Sequence, residues 1–373
     1  MALSRRGFLG TIGAGAAAVA VTRLPLAEFG WAEPPRVKTP GGPILLNSNE
    51  NPYGTFSSVH QALTEAQAIC NRYPWHEGEN LAALLAARYK VKPEQIVLAN
   101  GSVDILRMAA DACCGPSKPL VQASPTFEAL MFYAERRQAP VVKLPLRSDY
   151  AHDLDAMLKP ARDAGLVYIC NPNNPTGSIT ARKDIESFLK RLGGDGPYVL
   201  LDEAYHHFAD SPEYVSFLER PVDYPRLIVA RTFSKIYGMA GLRLGYSISS
   251  KEAAKRLSGF AVFDSPNAPA ARAGMAALKD EVSETQMARK VLADRAEFMR
   301  QAGARKLHVI PSQANFVMME IGRPVKPAIG HFKQRNILIG RPFPPMDTYA
   351  RISLSTPDDM RAFWQAWDLI GKA

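Results

Sequence analysis

The chain has 373 residues, enough to bury one large core and a smaller one beside it. Hydrophobic residues at 47% and charged residues at 22% are ordinary for a soluble globular protein and argue against a disordered or fibrous chain. The net charge of +9 is dispersed, with no basic run of five, no zinc-finger spacing and no RNA-binding signature, which argues against a nucleic-acid partner and leaves acidic metabolites.

In chain order, the first element is a leader. Ser4-Arg5-Arg6-Gly7-Phe8-Leu9-Gly10, a mild apolar stretch from Thr11 to Val21 and small residues at Gly30-Trp31-Ala32 predict a twin-arginine (Tat) export signal over residues 1–32, and hence a periplasmic protein exported folded. Beyond residue 35 no stretch has the length and apolarity of a membrane span. Residues 33–75 begin as a Pro- and Gly-rich arm and are expected to join the C-terminal third. Residues 76–270 should form the large unit and 271–373 the small one. Asn80 is the expected cap of a helix running through Tyr89.

Strands are predicted at Gln95–Ala99, Pro119–Ala123, Val141–Leu144, Leu166–Cys170, Tyr198–Asp202, Leu227–Ala230 and Leu242–Ile248. Helices at Ser102–Cys113, Pro125–Gln138 and Ala181–Leu192 alternate with them. That alternation predicts an α/β fold with a mostly parallel seven-stranded sheet flanked by helices, plus a smaller α+β unit. After Ser249 the chain reads as helical to about Arg305. Strands follow near His308–Ile310, Ala314–Met319, Ile337–Gly340 and Ala350–Ser355, and a last helix runs from Pro357 to Ile370. The cysteines, Cys70, Cys113, Cys114 and Cys170, make no Cys-x-x-Cys and are expected buried and reduced.

Chemistry collects where strands end, as in open α/β sheets. After the first strand, the amides of Gly101, Ser102 and Val103 open a helix and can face an anion, or simply cap it. Phe127, in Ser124-Pro-Thr-Phe127, can stack on a flat ring or fill the core. Asn171-Pro-Asn-Asn-Pro-Thr-Gly177 is a stiff turn that presents asparagines. Asp202 ends an apolar strand and needs a cation, a donor or a metal. His206 and His207 lie nearby, but no third ligand supports a metal. Lys235 follows Thr232 and Ser234, with Arg243 eight residues on.

Taken together, Asn49-Glu-Asn-Pro-Tyr-Gly54, Arg72-Tyr-Pro74, Asn100-Gly-Ser102, Asn171–Gly177, Asp202-Glu-Ala-Tyr205, Thr232-Phe-Ser-Lys235, Gly241-Leu-Arg243 and Arg351-Ile-Ser353 resemble the fold-type-I, pyridoxal-phosphate-dependent aminotransferases of class I/II, most of all the histidinol-phosphate aminotransferase branch. The resemblance implies pyridoxal 5'-phosphate as cofactor and Lys235 as its Schiff-base lysine and proton carrier. It implies Asp202 on the pyridine nitrogen, Asn174 and Tyr205 on the ring hydroxyl and Phe127 on the ring face. Gly101, Ser102, Val103, Thr232, Ser234 and Arg243 would surround the phosphate, with Tyr73 reaching in from the second subunit of a homodimer. Arg351 would hold a substrate carboxylate, Arg341 a substrate phosphate, and Tyr53 would stand at the entrance. The implied reaction moves an amino group between an L-amino acid, or a histidinol-phosphate-like amine, and a 2-oxo acid. Such motifs fix the cofactor more tightly than the outcome. An oxidase, decarboxylase or lyase is therefore the near alternative, and a non-catalytic binder of anions the distant one.

Overall fold

The computed structural model describes residues 42–370. The expected Tat signal and most of the Pro/Gly arm lie outside the described residues. The strands are β1 (Ile44–Leu46), β2 (Ile96–Ala99), β3 (Leu120–Ser124), β4 (Val141–Pro145), β5 (Leu166–Cys170), β6 (Tyr198–Asp202), β7 (Leu227–Thr232), β8 (Gly245–Ser249), β9 (Phe316–Glu320), β10 (Ile337–Ile339) and β11 (Tyr349–Ser353).

Among the described residues, seven strands form one sheet in the order β2-β8-β7-β6-β5-β3-β4. β8 runs antiparallel to both its neighbours, and the other pairs are parallel. Every residue of β5 and β7 is buried, which explains the apolar runs Leu166–Cys170 and Leu227–Ala230: helices cover both faces. Because β2, β3, β5, β6 and β7 point the same way, the loops leaving them emerge along one edge. All the strand-end motifs therefore share that edge.

Away from this sheet, β1 pairs in parallel with β10, and β9 pairs antiparallel with β11. The long helix Glu281–Ala304 packs Phe298 on Phe363 and Trp364 of the last helix, with ring centroids 5.9 and 4.8 Å apart. Phe332 stacks on Phe363 at 5.0 Å. Burying each such ring contributes about 1.5–3 kcal/mol.

Several boundaries differ from the sequence reading. The helix before β2 spans Trp75–Tyr89, so Asn80 sits inside it; its N-cap is Pro74, and Glu77 suits its positive end. The helix after β3 spans Ala129–Arg136, not Pro125–Gln138. The Thr126 hydroxyl donates to Asn173 Oδ1 (2.7 Å), drawing the intervening residues into a loop. β8 starts at Gly245 rather than Leu242, because Arg243 is left-handed (φ 55°) and breaks the extended backbone. The helical stretch from Ser249 to Arg305 divides into three helices, Lys251–Ser258, Ala268–Lys279 and Glu281–Ala304. Asn267 caps the second and Asp280 the third, each side chain accepting an amide of the following turn. The expected strand at His308–Ile310 reduces to one bridge, Val309 with Met319. All four cysteines are free, but Cys70 is exposed, contrary to expectation, because it follows a short helical turn on the surface.

Candidate active site

Asp202 ends β6 and is 3% exposed. Its Oδ2 accepts from the Tyr168 hydroxyl on β5 (3.0 Å) and its Oδ1 from the Ala204 amide (3.1 Å). Burial pushes its carboxyl up to about 6, and the two hydrogen bonds and Lys235 hold it from going higher. A buried carboxylate that is still mostly ionised at neutral pH can meet a cationic ring nitrogen.

Lys235 lies just past β7, where its Nζ donates to the Asn49 carbonyl (3.0 Å). Burial pulls the amine down to about 8, reinforced by Arg351 and Arg243. Asn49 is left-handed (φ 54°) and 1% exposed, and its Nδ2 donates to the Tyr205 hydroxyl (3.1 Å). Asn174 Nδ2 reaches the same oxygen (3.4 Å), while Asn174 Oδ1 accepts from Arg351 Nη1 (2.8 Å). Tyr205 thus accepts twice and keeps its own O–H to donate; burial raises its pKa, so it stays protonated. One run of contacts joins the lysine, the tyrosine, the asparagine and the arginine.

Arg351 is 8% exposed and its Nη2 donates to the Asn47 carbonyl (2.6 Å). Its Nε is buried with no hydrogen-bond partner among the described residues. Burial lowers its pKa to about 10, with Arg341 adding repulsion. A guanidinium held by neutral oxygens, with a donor left over, suits an incoming carboxylate.

An anion cradle lies at the next strand end. Gly101 caps the helix Ser102–Cys113 with φ 82° and ψ 162°, a backbone shape reserved for glycine. A Cβ there would overlap the Arg243 guanidinium. Arg243 Nη1 reaches Ser234 Oγ (3.4 Å), which accepts from Thr232 Oγ1 (2.9 Å). The Gly101 amide is taken by the Ala99 carbonyl (2.9 Å). Ser102 and Val103, in the first helical turn, therefore carry the amides that can meet an anion.

Phe127 is half-buried on the loop after β3, which is tied to the Asn171–Gly177 turn through Asn173 Nδ2 and the Pro125 carbonyl (3.1 Å). Next to it, Glu128 forms an ion pair with Arg341. Arg341 also donates to the Pro342 carbonyl (2.8 Å) and lies over the Phe343 ring at 4.3 Å. Tyr53 donates to Asp294 Oδ2 (2.8 Å), with Lys290 over its ring at 3.7 Å. Tyr73 stands apart: it is 68% exposed, and its ring stacks on Trp75 at 5.6 Å. His206 and His207 stack on each other at 3.6 Å, and His207 Nε2 faces Glu284 (3.4 Å). No metal-ligand cluster occurs among the described residues.

Sequence reading missed Tyr168, the anchoring role of Asn49, and Glu128. It also missed the buried pair of Glu203 with Arg231, in which Arg231 Nη2 stands 2.8 Å from Glu203 Oε2. A carboxylate one residue beyond Asp202 and a cation inside an apolar strand were the available signal for that pair. The residues fit pyridoxal phosphate: a buried acid for a cationic nitrogen, a depressed amine for an aldehyde, and a glycine-arginine-serine cradle for a phosphate.

The comparisons agree. The family model for aminotransferase class I and II matches residues 42–366. The histidinol-phosphate aminotransferase of Symbiobacterium thermophilum is 35% identical over 327 residues, 87% of this chain and 89% of that protein. The aromatic amino acid aminotransferase of Streptomyces coelicolor is 35% identical over 305 residues, 81% and 84% of the two chains. The fold matches that of histidinol-phosphate aminotransferase from Sinorhizobium meliloti in complex with pyridoxal-5'-phosphate, with TM-score 0.82, 24% identity and coverage of 95% and 98%. With the buried acid, the amine and the anion cradle on one sheet edge, these matches show that the chain belongs to the class I and II aminotransferases, as a pyridoxal-phosphate-dependent enzyme like the histidinol-phosphate aminotransferases.

Proposed function

We propose that the amino donor is an L-amino acid or a histidinol-phosphate-like amine, the acceptor a 2-oxo acid, and that the residues on this edge divide the work as follows. Lys235 binds the cofactor aldehyde and, once released, carries the proton from the donor's α-carbon. Its pKa of about 8 leaves about a tenth of the amine neutral at pH 7, far more than an ordinary lysine offers, as a general base needs. Asp202 faces the ring nitrogen, Tyr205 and Asn174 the ring hydroxyl, and Phe127 the ring face. Ser102, Val103, Thr232, Ser234 and Arg243 hold the phosphate, with Gly101 giving them room. Where the donor is an L-amino acid, Arg351 binds its carboxylate, and Tyr53 flanks the entrance. When bound, pyridoxal phosphate supplies an aldehyde and an electron-withdrawing ring.

The observation that carries this reading is the run of contacts from Lys235 through Asn49, Tyr205 and Asn174 to Arg351. It sets the proton carrier and the carboxylate clamp on one rigid frame. The relatives act on histidinol phosphate and on aromatic amino acids, and both kinds of donor belong in the test. Purified holoenzyme is mixed with each donor while absorbance follows conversion of the cofactor from its aldehyde to its amine form. The expected result is conversion with release of the matching oxo product and none in Lys235→Ala. Oxygen uptake with peroxide, or carbon dioxide release without cofactor conversion, refutes it.

Three further readings belong with this proposal. Residues 76–270 form the cofactor-binding unit, and 33–75 with 271–373 the smaller one, in keeping with the β1–β10 pairing. The enzyme is a homodimer in which Tyr73 enters the second subunit's site, in keeping with its exposure and that of Trp75 and Phe263. The Arg5-Arg6 leader exports it folded to the periplasm, and cell fractionation of an Arg5→Lys, Arg6→Lys variant tests this.

A further inference from the structure

Resting on the proposal that Arg351 holds the donor's carboxylate, we infer that the Glu128–Arg341 ion pair selects donors whose side chain ends without a negative charge. Arg341 and Arg351 lie over the same Phe343 ring, at 4.3 and 4.6 Å. Phe343, Arg341 and Glu128 thus adjoin Arg351, and we set the side chain of a donor held at Arg351 against them.

The two arginines have different partners. Arg351 is held by an amide oxygen and a backbone carbonyl, both neutral. Arg341 has one terminal nitrogen on the Glu128 carboxylate and the other on the Pro342 carbonyl. An incoming phosphate or carboxylate at Arg341 would have to lie beside the Glu128 charge, an arrangement of like charges that is disfavoured in a partly buried site. A flat neutral side chain meets no such obstacle. It can pack on Phe343 and the guanidinium plane while the pair stays closed. Glu128 follows Phe127 directly, so the residue that gates the distal group is fixed to the one proposed for the ring face. Glu128 is thus a specificity-determining residue, and Arg341 becomes a phosphate ligand only when that carboxylate is neutralised.

The test uses holoenzyme and two ligands with no amino group to react, 3-phenylpropionate and 3-phosphonopropionate, with affinity measured by calorimetry. Wild type is expected to bind 3-phenylpropionate more tightly. Glu128→Gln, which keeps the shape and removes the charge, is expected to tighten 3-phosphonopropionate about 10-fold or more, as loss of a close like charge should. It should leave 3-phenylpropionate within about twofold. Adding Arg341→Met to that variant should abolish the gain. Wild type preferring the phosphonate, or no gain in Glu128→Gln, overturns the inference. Arg351→Lys separates the two readings: it should weaken both ligands alike, and failure to do so sinks the carboxylate clamp, whereas the Glu128→Gln comparison alone decides the pair.

Discussion

Removing the Tyr168 hydroxyl should shift the working pH of the cofactor site. Tyr168 is fully buried and donates to Asp202 Oδ2 at 3.0 Å; the other recorded donor to that carboxylate is the Ala204 amide on Oδ1. A hydrogen bond to a charged group is worth about 1.5–3 kcal/mol, and one pKa unit corresponds to about 1.36 kcal/mol. In Tyr168→Phe the Asp202 carboxyl should therefore rise by about one to two units from its present value of about 6. Its sign in stability follows from linkage. With a folded pKa above the unfolded 3.8, the group's stabilising contribution is full below 3.8 and lost as pH rises to about 6. In the variant that loss extends to about pH 7–8. Two assays read this: urea unfolding of the apoprotein across pH 4–9, and pyridoxal phosphate affinity across the same range. Wild-type affinity should fall off below about pH 6, where Asp202 is neutral, and the variant's falling edge should move up by one to two units. An unmoved edge with unchanged affinity at every pH would show that Tyr168 is only packing.

Gly101→Ala places a Cβ in the Arg243 guanidinium and imposes a conformation that only glycine adopts easily. It should cost about 1–3 kcal/mol by urea unfolding and weaken pyridoxal phosphate about 10-fold or more. Glu203→Gln leaves the buried Arg231 guanidinium without its counter-charge, and a loss of about 3–5 kcal/mol is expected, with cofactor absorbance unchanged in the fraction that folds. Because the Lys235 pKa is lowered from 10.5 to about 8, the rate at which apoprotein takes up pyridoxal phosphate should rise through pH 8, not through pH 10.5, in a stopped-flow series.

How much of the site was legible depends on what holds each residue in place. Asp202, Asn174, Lys235 and Arg243 could be read because each lies in a short motif at a strand end, where backbone direction alone sets the side of the sheet. Tyr168 could not. It sits inside an apolar strand, and its hydroxyl finds Asp202 only because β5 and β6 pair in a register that sets Tyr168 opposite Leu200. The Arg341–Glu128 pair joins residues 213 positions apart, which no local pattern encodes. The Tat leader lies among residues the structure does not describe, so the sequence remains its sole support. The misplaced helix start at Pro125 has a local cause that was visible: Thr126 is a residue whose side chain competes with helix formation.

The site's electrostatics work against its own stability. Lys235, Arg243 and Arg351 all have lowered pKa values, first because they are buried and, for Lys235 and Arg351, also because other cations stand near. Facing them is Asp202, itself reluctant to ionise. A core that served only folding would not gather cations against so little negative charge, since each is desolvated for partners that are mostly neutral oxygens. The anions proposed here, a phosphate beside Arg243 and a carboxylate at Arg351, would relieve this unfavourable arrangement. Any ligand that binds only the folded state stabilises it by RT ln(1 + c/Kd), with c its free concentration, a gain that grows as c rises above Kd. The same charges that weaken the apoprotein thus tie its stability to cofactor and substrate. Arg341 is the instructive exception. Its charge is already answered by Glu128, so it adds nothing to that demand, and the proposed choice among donors would be made there rather than by attraction alone.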